Sequence, residues 1–408
     1  MNVKRGFTKT LLGMFILITW IDAQTAVAGG SSYSRFGIGD LMYYGSSRSA
    51  AMGGTGIALL NDGFINRLNP AGLAALSRTR ISAGFEYSNF SSSDNASSGN
   101  YRRGAFNGVA FGIPVDKKYG IGMLLESSPF SSVHYAVETT DEKLKQTFYG
   151  TGGLSLLGVG ASYAPFSSVT LGAKFNYIFG RIRQVDKFDF FDSGFADGEM
   201  DRSDFYSGMN ATLGAIYRGS TDSPLSLGLV LSTPTTFAVE RERILTSNQT
   251  QDTTGRSTGT VGLPLAVGVG FSYLFSNRYY LTADLYHQSW EQSNFFGTVP
   301  VEIRNATRVG VGFESLPERE TEAYFKRVAY RAGIYYNSTY YKINGTPINE
   351  YFVTFGLGLP VGPDARINIG LHAGIRGETT NNLQRDTILR LTFSLSASEA
   401  WFLTFEEE

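Results

Sequence analysis

Apolar and polar side chains alternate along most of the chain after residue 78. The segment 388–396, ILRLTFSLS, places leucine or phenylalanine at nearly every second position, and the segment 171–179, LGAKFNYIF, has the same period. A period of two predicts β-strands with one apolar and one polar face. About fourteen such segments are recognised, at 79–91, 105–115, 118–138, 145–165, 168–186, 204–218, 225–241, 258–275, 278–291, 306–316, 328–343, 349–361, 365–378 and 385–397.

The predicted strands suit a membrane barrel. Nine to eleven residues let a tilted strand cross a bilayer, and many of the segments are that long or longer. Short links such as VDKKYG and FSNR alternate with long polar links such as NFSSSDNASSGNYRRG. Short turns on one rim and long loops on the other are typical of outer-membrane barrels. A soluble β-sandwich or propeller is the alternative, although neither needs this asymmetry.

The first 28 residues read as a secretory signal peptide. Basic residues precede the apolar run LLGMFILITWI, and Ala26-Val27-Ala28 forms a small-residue cleavage site, with a cut before Gln24 as an alternative. We therefore predict an exported protein of the cell outer membrane with three parts. These are a signal peptide at 1–28, an N-terminal segment at 29–78 and a transmembrane β-barrel at 79–408.

Composition supports this all-β interpretation and excludes several other classes. The chain holds 48 glycines and 14% aromatic residues, and no run of eighteen apolar residues follows the signal peptide. A net charge of -1 gives no general attraction to nucleic acid. With no cysteine and three scattered histidines, we expect no cofactor and no cluster of metal ligands, while calcium binding by the acidic loop near Asp189 to Asp204 stays open.

A small, glycine-rich stretch, residues 51–77, precedes the first predicted strand. Its GGTG lacks a preceding strand and a following acidic residue at the distance that a dinucleotide site requires. Small residues allow close packing against a barrel wall, and Asn69-Pro70 fixes a turn or extended conformation. The stretch is therefore predicted to be a small helical plug in the barrel lumen.

At these residues the sequence resembles a known family. RSAAMGGTGIALLNDGFINRLNPAGLAAL is similar to the N-terminal hatch of the long-chain fatty-acid transporter (FadL/TodX) family, and its Asn-Pro-Ala motif is Asn69, Pro70 and Ala71, followed by Gly72. The resemblance implies a fourteen-stranded barrel with a lumenal hatch that takes up hydrophobic molecules passively. It also implies hatch or gating roles for these four residues. The preceding SSYSRFGIGDLMYYGSSRSA and the acidic ending TFEEE depart from the better-known members.

The family resemblance further implies one interrupted strand that opens a lateral passage into the bilayer. In the third predicted strand, Ser127, Ser128 and Pro129 break the alternation, and proline cannot donate to a strand ladder. We expect the kink here. The alternative is an ordinary bulge, since Pro234 and Pro264 lie in or near other strands.

Several residues could line a ligand path. The candidates for the pocket are Met52, Ile57, Leu59, Leu60, Lys174 and Arg390. The apolar ones could equally seat the plug. The inward charges could meet a polar head group or pair with one another across the lumen, and besides Lys174 and Arg390 they are Glu86, Asp284, Arg308 and Arg376.

The expected partners are a hydrophobic small molecule, outer-membrane lipid and, during biogenesis, the barrel assembly machinery, with the oligomeric state open. A secretion scaffold or shuttle of the PorV type would share the hatch-and-barrel plan, so it remains the second hypothesis. An outer-membrane lipid hydrolase is a minor alternative, because His287-x-Ser289 puts two reactive side chains on one strand face. No third residue to orient the imidazole is evident, and we expect no enzyme.

Overall fold

The computed structural model describes residues 30–399, apart from residues 44, 96, 192–193, 220–222, 248–250, 319–322 and 363. The predicted signal peptide and the acidic C-terminal end lie outside the described residues.

The chain forms a closed antiparallel β-barrel of fourteen wall strands. The strands are β1 (Asp40–Leu41), β2 (Thr79–Ser93), β3 (Ser98–Asp116), β4 (Ile121–Pro129), β5 (Ser131–Thr140), β6 (Leu144–Phe166), β7 (Val169–Phe190), β8 (Gly198–Arg218), β9 (Leu225–Ser232), β10 (Thr235–Ser247), β11 (Gln251–Leu263), β12 (Ala266–Phe275), β13 (Tyr279–Gln288), β14 (Ala306–Ser315), β15 (Ala329–Ile343), β16 (Thr346–Pro360), β17 (Ala365–Arg376) and β18 (Arg385–Glu399). β1 lies in the lumen, and the pairs β4/β5, β9/β10 and β11/β12 each form one interrupted wall strand. The predicted fold class and strand number are confirmed.

The ring closes between the first and last wall strands, because β18 pairs with β2 from Arg385↔Ser93 to Glu399↔Thr79. Closure leaves no free sheet edge at this seam, so the backbone polar groups of both strands are paired away from lipid.

The two faces of the wall separate apolar from polar side chains. On β14, Val309, Val311 and Phe313 are exposed on the outside, whereas Arg308 and Glu314 are buried on the inside. The same alternation recurs around the ring and gives an outward apolar band. A lipid-facing barrel requires this band, since the bilayer core solvates apolar side chains and not charges.

We call the end of the barrel where β2 begins the near rim and the opposite end the far rim. At the far rim the predicted long loops are largely strand, because β2 continues to Ser93 and β3 restarts at Ser98, while β10 and β11 leave only 248–250 between them. Sequence alternation failed there because above the bilayer both faces of a hairpin meet water, so no apolar period marks it. Genuine long far-rim connections remain at 289–305 and 377–384.

Prolines also mark the two strand interruptions other than the one at Pro129. Thr233-Pro234 separates β9 from β10, and Pro264-Leu265 separates β11 from β12. At the first of these, Thr233 N donates to Ala211 O at 2.8 Å and Thr233 Oγ1 accepts from Ala211 N at 3.0 Å. These hydrogen bonds hold the break against β8, so the wall stays joined there.

Residues 30–78, the N-terminal segment, lie within the barrel. The segment contains 3-10 helices at Ser32–Arg35 and Pro70–Ala75, the strand β1 and a one-turn helix α1 (Ser47–Ala50). Much of it is irregular, so it is less helical than the sequence suggested. Among the described residues no helix is long and apolar enough to cross a bilayer.

The largest apolar core also lies in the lumen, toward the far rim. It joins Ile38 of the N-terminal segment to β15 and to the 289–305 connection, where the rings of Tyr340 and Trp290 stack at 4.7 Å. Tyr340 Oη donates to Gly39 O at 2.6 Å. Apolar burial therefore helps to anchor the start of the N-terminal segment to the barrel.

Candidate functional site

The Asn-Pro-Ala motif lies near the C-terminal end of the N-terminal segment. Asn69 caps the helix Pro70–Ala75, and its Oδ1 accepts from Ala71 N at 3.0 Å. Proline at the first helical position suits this start, since its fixed φ matches the helix and its missing N–H would have no intrahelical partner. The side chain of Asn69 is fully buried.

Asn69 also ties the segment to the barrel wall. Its Nδ2 lies 2.8 Å from Ile57 O within the segment and 3.2 Å and 3.3 Å from Ala215 O of β8 and Leu229 O of β9. A second asparagine, Asn66, donates to Gly56 O and Leu59 O and accepts from Asn69 N. The motif thus links the segment to two wall strands through buried hydrogen bonds.

Glycines on the inner wall let the segment approach this closely. A Cβ added to Gly172 of β7 would lie 2.3 Å from Ala71 N, and one on Gly214 of β8 would lie 2.0 Å from Asn69 Oδ1. Similar approaches occur where wall glycines meet the backbone of residues 52–58, at Gly228, Gly310, Gly312 and Gly333. Part of the high glycine content therefore serves backbone-to-backbone packing.

Charged side chains of the wall hold the same segment through its backbone. Asp284 accepts from Gly56 N at 2.6 Å and from Ile57 N at 3.0 Å, and Arg308 donates to Gly53 O at 3.1 Å. Of the inward charges predicted from alternation, these two bind the segment rather than other charges.

The remaining predicted inward charges lie in buried ion pairs. Lys174 Nζ is 2.7 Å from Glu126, Arg390 Nε is 3.1 Å from Glu86, and Arg376 is 2.5 Å from Glu350. Arg390 also donates to Ser88 Oγ. Pairing is expected in a crowded lumen, because an isolated buried charge is costly.

Two carboxylates join the N-terminal segment to the wall by accepting from two cations each. Glu126 of β4 accepts from Arg67 Nε at 2.6 Å as well as from Lys174. Glu314 of β14 accepts from Arg48 of α1 and from Arg331 Nε at 2.8 Å. Sequence analysis did not single out Arg48, Arg67 or Glu314. The two arginines lie outside the strands, where alternation assigns no face, and for Glu314 alternation gives the face but not the partners.

The kink proposed at Ser127, Ser128 and Pro129 coincides with a strand interruption. β4 ends at Pro129 and β5 begins at Ser131, and the register against β6 shifts by one residue across Phe130. Phe130 N donates to Leu154 O at 2.8 Å, which keeps the bulge attached to β6.

The interruption separates two neighbouring strands. β3 pairs with β4 from Asp116↔Ile121 to Val109↔Ser127, but among the described residues β5 has no pairing with the rest of β3. The free edge of β5 pairs instead with β1 of the N-terminal segment, through Asp40↔Ser132 and Leu41↔Ser131. The wall thus lacks its hydrogen-bonded ladder between β5 and residues 98–108.

A cavity of about 170 Å³ lies directly behind this interruption. Its apolar side includes Pro129, Phe130, Leu156 and Ile57, and its polar side carries Lys174 together with other buried polar groups. Tyr43 of the N-terminal segment also lines it, and burial raises the pKa of this phenol well above its ordinary value, so the ring stays neutral.

The other pocket candidates are placed differently. Met52 and Leu59 pack with Phe64 and Tyr280 in a small apolar cluster, and Leu60 is half-buried. Arg390 lines a separate cavity of about 50 Å³ nearer the far rim. Only Ile57 and Lys174 of the six candidates therefore line the cavity at the interruption.

The histidine and the serine considered for hydrolysis, His287 and Ser289, each have another hydrogen-bond partner. His287 Nδ1 lies 2.8 Å from Thr307 Oγ1, and Ser289 N donates to Leu265 O. No group of three or more potential metal ligands occurs among the described residues.

Comparison with solved structures identifies the fold. The Ralstonia pickettii toluene transporter TbuX aligns with a TM-score of 0.60 at 16% identity, over 87% of this chain and 98% of that one. The Pseudomonas putida toluene transporter TodX aligns at 0.61 and 14%, over 88% and 99%. A Pseudomonas aeruginosa FadL homologue aligns at 0.60 and 14%, again over 88% and 99%. The resemblance to this family of barrels is confirmed as a likeness of fold.

Comparison with curated proteins gave no match. The sequence does match the BamG family over residues 7–405, which is nearly the whole chain. The chain therefore belongs to the BamG family.

Proposed function

We propose that this protein is an outer-membrane channel for passive uptake of hydrophobic small molecules, such as long-chain fatty acids or hydrocarbons. In this proposal the N-terminal segment is a hatch that closes the lumen to polar solutes. The substrate enters from the far rim and leaves sideways, between β3 and β5, into the bilayer. The observation that carries the proposal is the absence of pairing between β5 and residues 98–108 beside the cavity at Phe130.

The size and lining of the cavity support passage of a small apolar molecule. An apolar cavity of about 150 Å³ admits benzene, and the cavity at the interruption measures about 170 Å³. Its apolar side, with Phe130 and Leu156, adjoins the interruption, whereas Lys174 is held in an ion pair with Glu126. The solved barrels of the same fold include transporters of toluene, which is a molecule of this class.

A lateral exit needs no large movement of the hatch. The segment is held by Asn69, by Asp284 and by the two bridging carboxylates Glu126 and Glu314, so leaving the lumen would break many buried polar contacts together. A route through the wall preserves these contacts and delivers an apolar solute directly into lipid, where it is most soluble.

Blocking the cavity tests the route. Ser128 lines the cavity, whereas the adjacent Ser127 does not. In Ser128→Trp we expect uptake of radiolabelled fatty acids and toluene by expressing cells to fall about tenfold, since the indole would fill much of the available volume. Ser127→Trp is the matched control and should transport as the parent does.

Equal uptake by both tryptophan variants and the parent would rule out this cavity as the route. Surface exposure and heat-modifiable electrophoretic mobility must show that each variant is a folded barrel. Proteoliposomes provide the second measurement, because a closed lumen with a lateral exit should exclude a polar sugar from vesicles that take up the apolar substrate.

A protein-docking function of the PorV type is the second candidate. The far-rim extensions favour it, since β6, β7 and β8 span 23, 22 and 21 residues, well beyond what crosses a bilayer. The family name BamG also hints at the barrel assembly machinery as the partner. If docking is the function, shortening the connection between β10 and β11, within residues 244–254, should abolish cross-linking to a partner protein. Uptake of small molecules should stay unchanged in the same variant.

A further inference from the structure

A second, larger cavity lies at the near rim, away from the interruption. This near-rim vestibule has a volume of about 780 Å³ and lies between the N-terminal segment and the inner faces of β2, β14, β15, β17 and β18. Seven arginines and four carboxylates line it, which gives an excess of positive charge. An arginine-rich concave surface attracts anions.

The carboxylates of the vestibule are already engaged. Glu314 is shared by two arginines, Asp364 pairs with Arg78 at 2.5 Å, and Glu318 pairs with Arg278 at 2.5 Å. Asp62 accepts from Ser77 N at 3.0 Å and from Ser77 Oγ at 2.5 Å. The excess positive charge therefore remains after these contacts are counted.

Arg80 of β2 has a buried donor that no described residue engages. Within the described part of the chain, its buried Nε has no hydrogen-bond partner, and its Nη1 reaches Ser396 Oγ only at 3.5 Å. A buried donor without a partner is energetically unfavourable, so a ligand that accepts a hydrogen bond from it would be favoured.

Hydroxyl donors stand beside this guanidinium. Ser82 follows Arg80 by two residues on the same face of β2, and it lies opposite Ser396 of β18 in the strand register. Ser396 in turn lies opposite Arg366 of β17, whose Nη1 donates to Gly358 O at 3.0 Å. Three adjacent strands thus present arginine and serine side chains in one patch of the vestibule wall.

We propose that the near-rim vestibule binds an oxyanion, a carboxylate or a phosphate, between Arg80, Ser82 and Ser396. The planar guanidinium supplies charge-assisted donors to such a group, and the two hydroxyls supply neutral ones. The anion is either a free ion or the head group of an amphiphile whose tail extends into the vestibule. This site is separate from the hydrophobic route and does not depend on it.

Calorimetric titration of the full-length protein in a zwitterionic detergent tests the site, with inorganic phosphate, dodecyl phosphate and neutral dodecanol as probes. We expect Arg80→Gln to weaken phosphate binding about tenfold or more, as loss of a charged hydrogen bond predicts. Arg256→Gln is the matched control, because Arg256 is 79% exposed on β11 near the far rim and should bind as the parent does.

The probes distinguish the two sources of the anion. Dodecyl phosphate binding much more tightly than phosphate, with weak dodecanol binding, would identify an amphiphile head group, and equal affinities for the two phosphates would identify a free ion. No binding by the parent, equal binding by Arg80→Gln, or an equal loss in Arg256→Gln would overturn the proposal.

Folding of the variants is checked by heat-modifiable mobility. If Arg80→Gln does not fold, Arg80→Lys and Ser396→Ala decide the matter, since both retain the positive charge. Each should bind phosphate several-fold more weakly than the parent, because one loses the planar donor set and the other a hydroxyl. Unchanged affinity in both would overturn the site.

Discussion

Asn69 of the N-terminal segment donates from Nδ2 toward Ala215 O of β8, at 3.2 Å, from a position that is completely buried. The closeness depends on Gly214 beside Ala215, where any Cβ would collide with the Asn69 side chain. An asparagine and a glycine almost 150 residues apart thus together allow one contact between the segment and the wall.

Asn69→Ala should destabilise the N-terminal segment without opening the barrel. The change removes the cap of the helix Pro70–Ala75 and leaves the carbonyls of Ile57, Ala215 and Leu229 without this donor. We expect a loss of about 1–3 kcal/mol, seen as faster hydrogen exchange in residues 51–77. Asn100→Ala, at an exposed position of β3, is the control, and equal exchange in the two variants would contradict the fastening role.

Gly172→Ala tests the close approach of wall and segment. The new Cβ would lie 2.3 Å from Ala71 N and from Pro70 C, so backbone must move, at a cost of about 1–3 kcal/mol. A lowered midpoint of thermal unfolding should report this. Gly255→Ala has nothing within 4 Å of its Cβ and should leave the midpoint unchanged. The packing argument fails if the two variants unfold alike.

Glu126→Gln should expose the cost of the buried ion cluster. Glu126 is 4% exposed and is the shared counter-ion of Arg67 and Lys174, so removing its charge leaves two buried cations without this partner. Breaking a buried pair in this way costs about 3–5 kcal/mol, measurable by urea unfolding in detergent. The exposed pair of Arg256 and Glu242 supplies the control, and Glu242→Gln should cost no more than about 1 kcal/mol.

A second substitution that restores stability would show that the cost of Glu126→Gln comes from unpaired charge and not from lost packing. Adding Lys174→Met to Glu126→Gln removes one stranded cation and should recover part of the lost stability. No recovery would mean that the shape of Glu126, and not its charge, supports the wall at this point.

Phe175→Arg should oppose insertion into a bilayer. Phe175 is 54% exposed on the outer face of β7, six residues from its near-rim end, so it faces lipid. A lipid-facing arginine near mid-bilayer costs about 2–4 kcal/mol. The free energy of folding into liposomes should become less favourable by this amount. Phe325→Arg, 77% exposed in a near-rim connection, should fold like the parent, and equal defects would contradict the assigned membrane band.

Alternation along the chain is enough to predict the membrane-spanning strands, their inward and outward faces and the barrel, although not the far-rim extensions of the strands. Alternation places Lys174 inside and Phe175 outside because successive side chains on a strand point in opposite directions, and this holds whatever the neighbouring strands are. The Asn69-Pro70 turn could also be read from local chemistry, since proline restricts both its own backbone and that of the residue before it.

Which of these groups come into contact depends on how the strands and the N-terminal segment pack together. Glu126 lies near Arg67 and Lys174 only after the barrel has closed around the N-terminal segment, and Arg80 lies near Ser396 only across the seam between β2 and β18. Alternation fixes the face of a side chain but not its partner on another strand. The missing ladder between β3 and β5 follows the same rule, because Pro129 signals an interruption while register and closure determine whether the wall is joined beyond it.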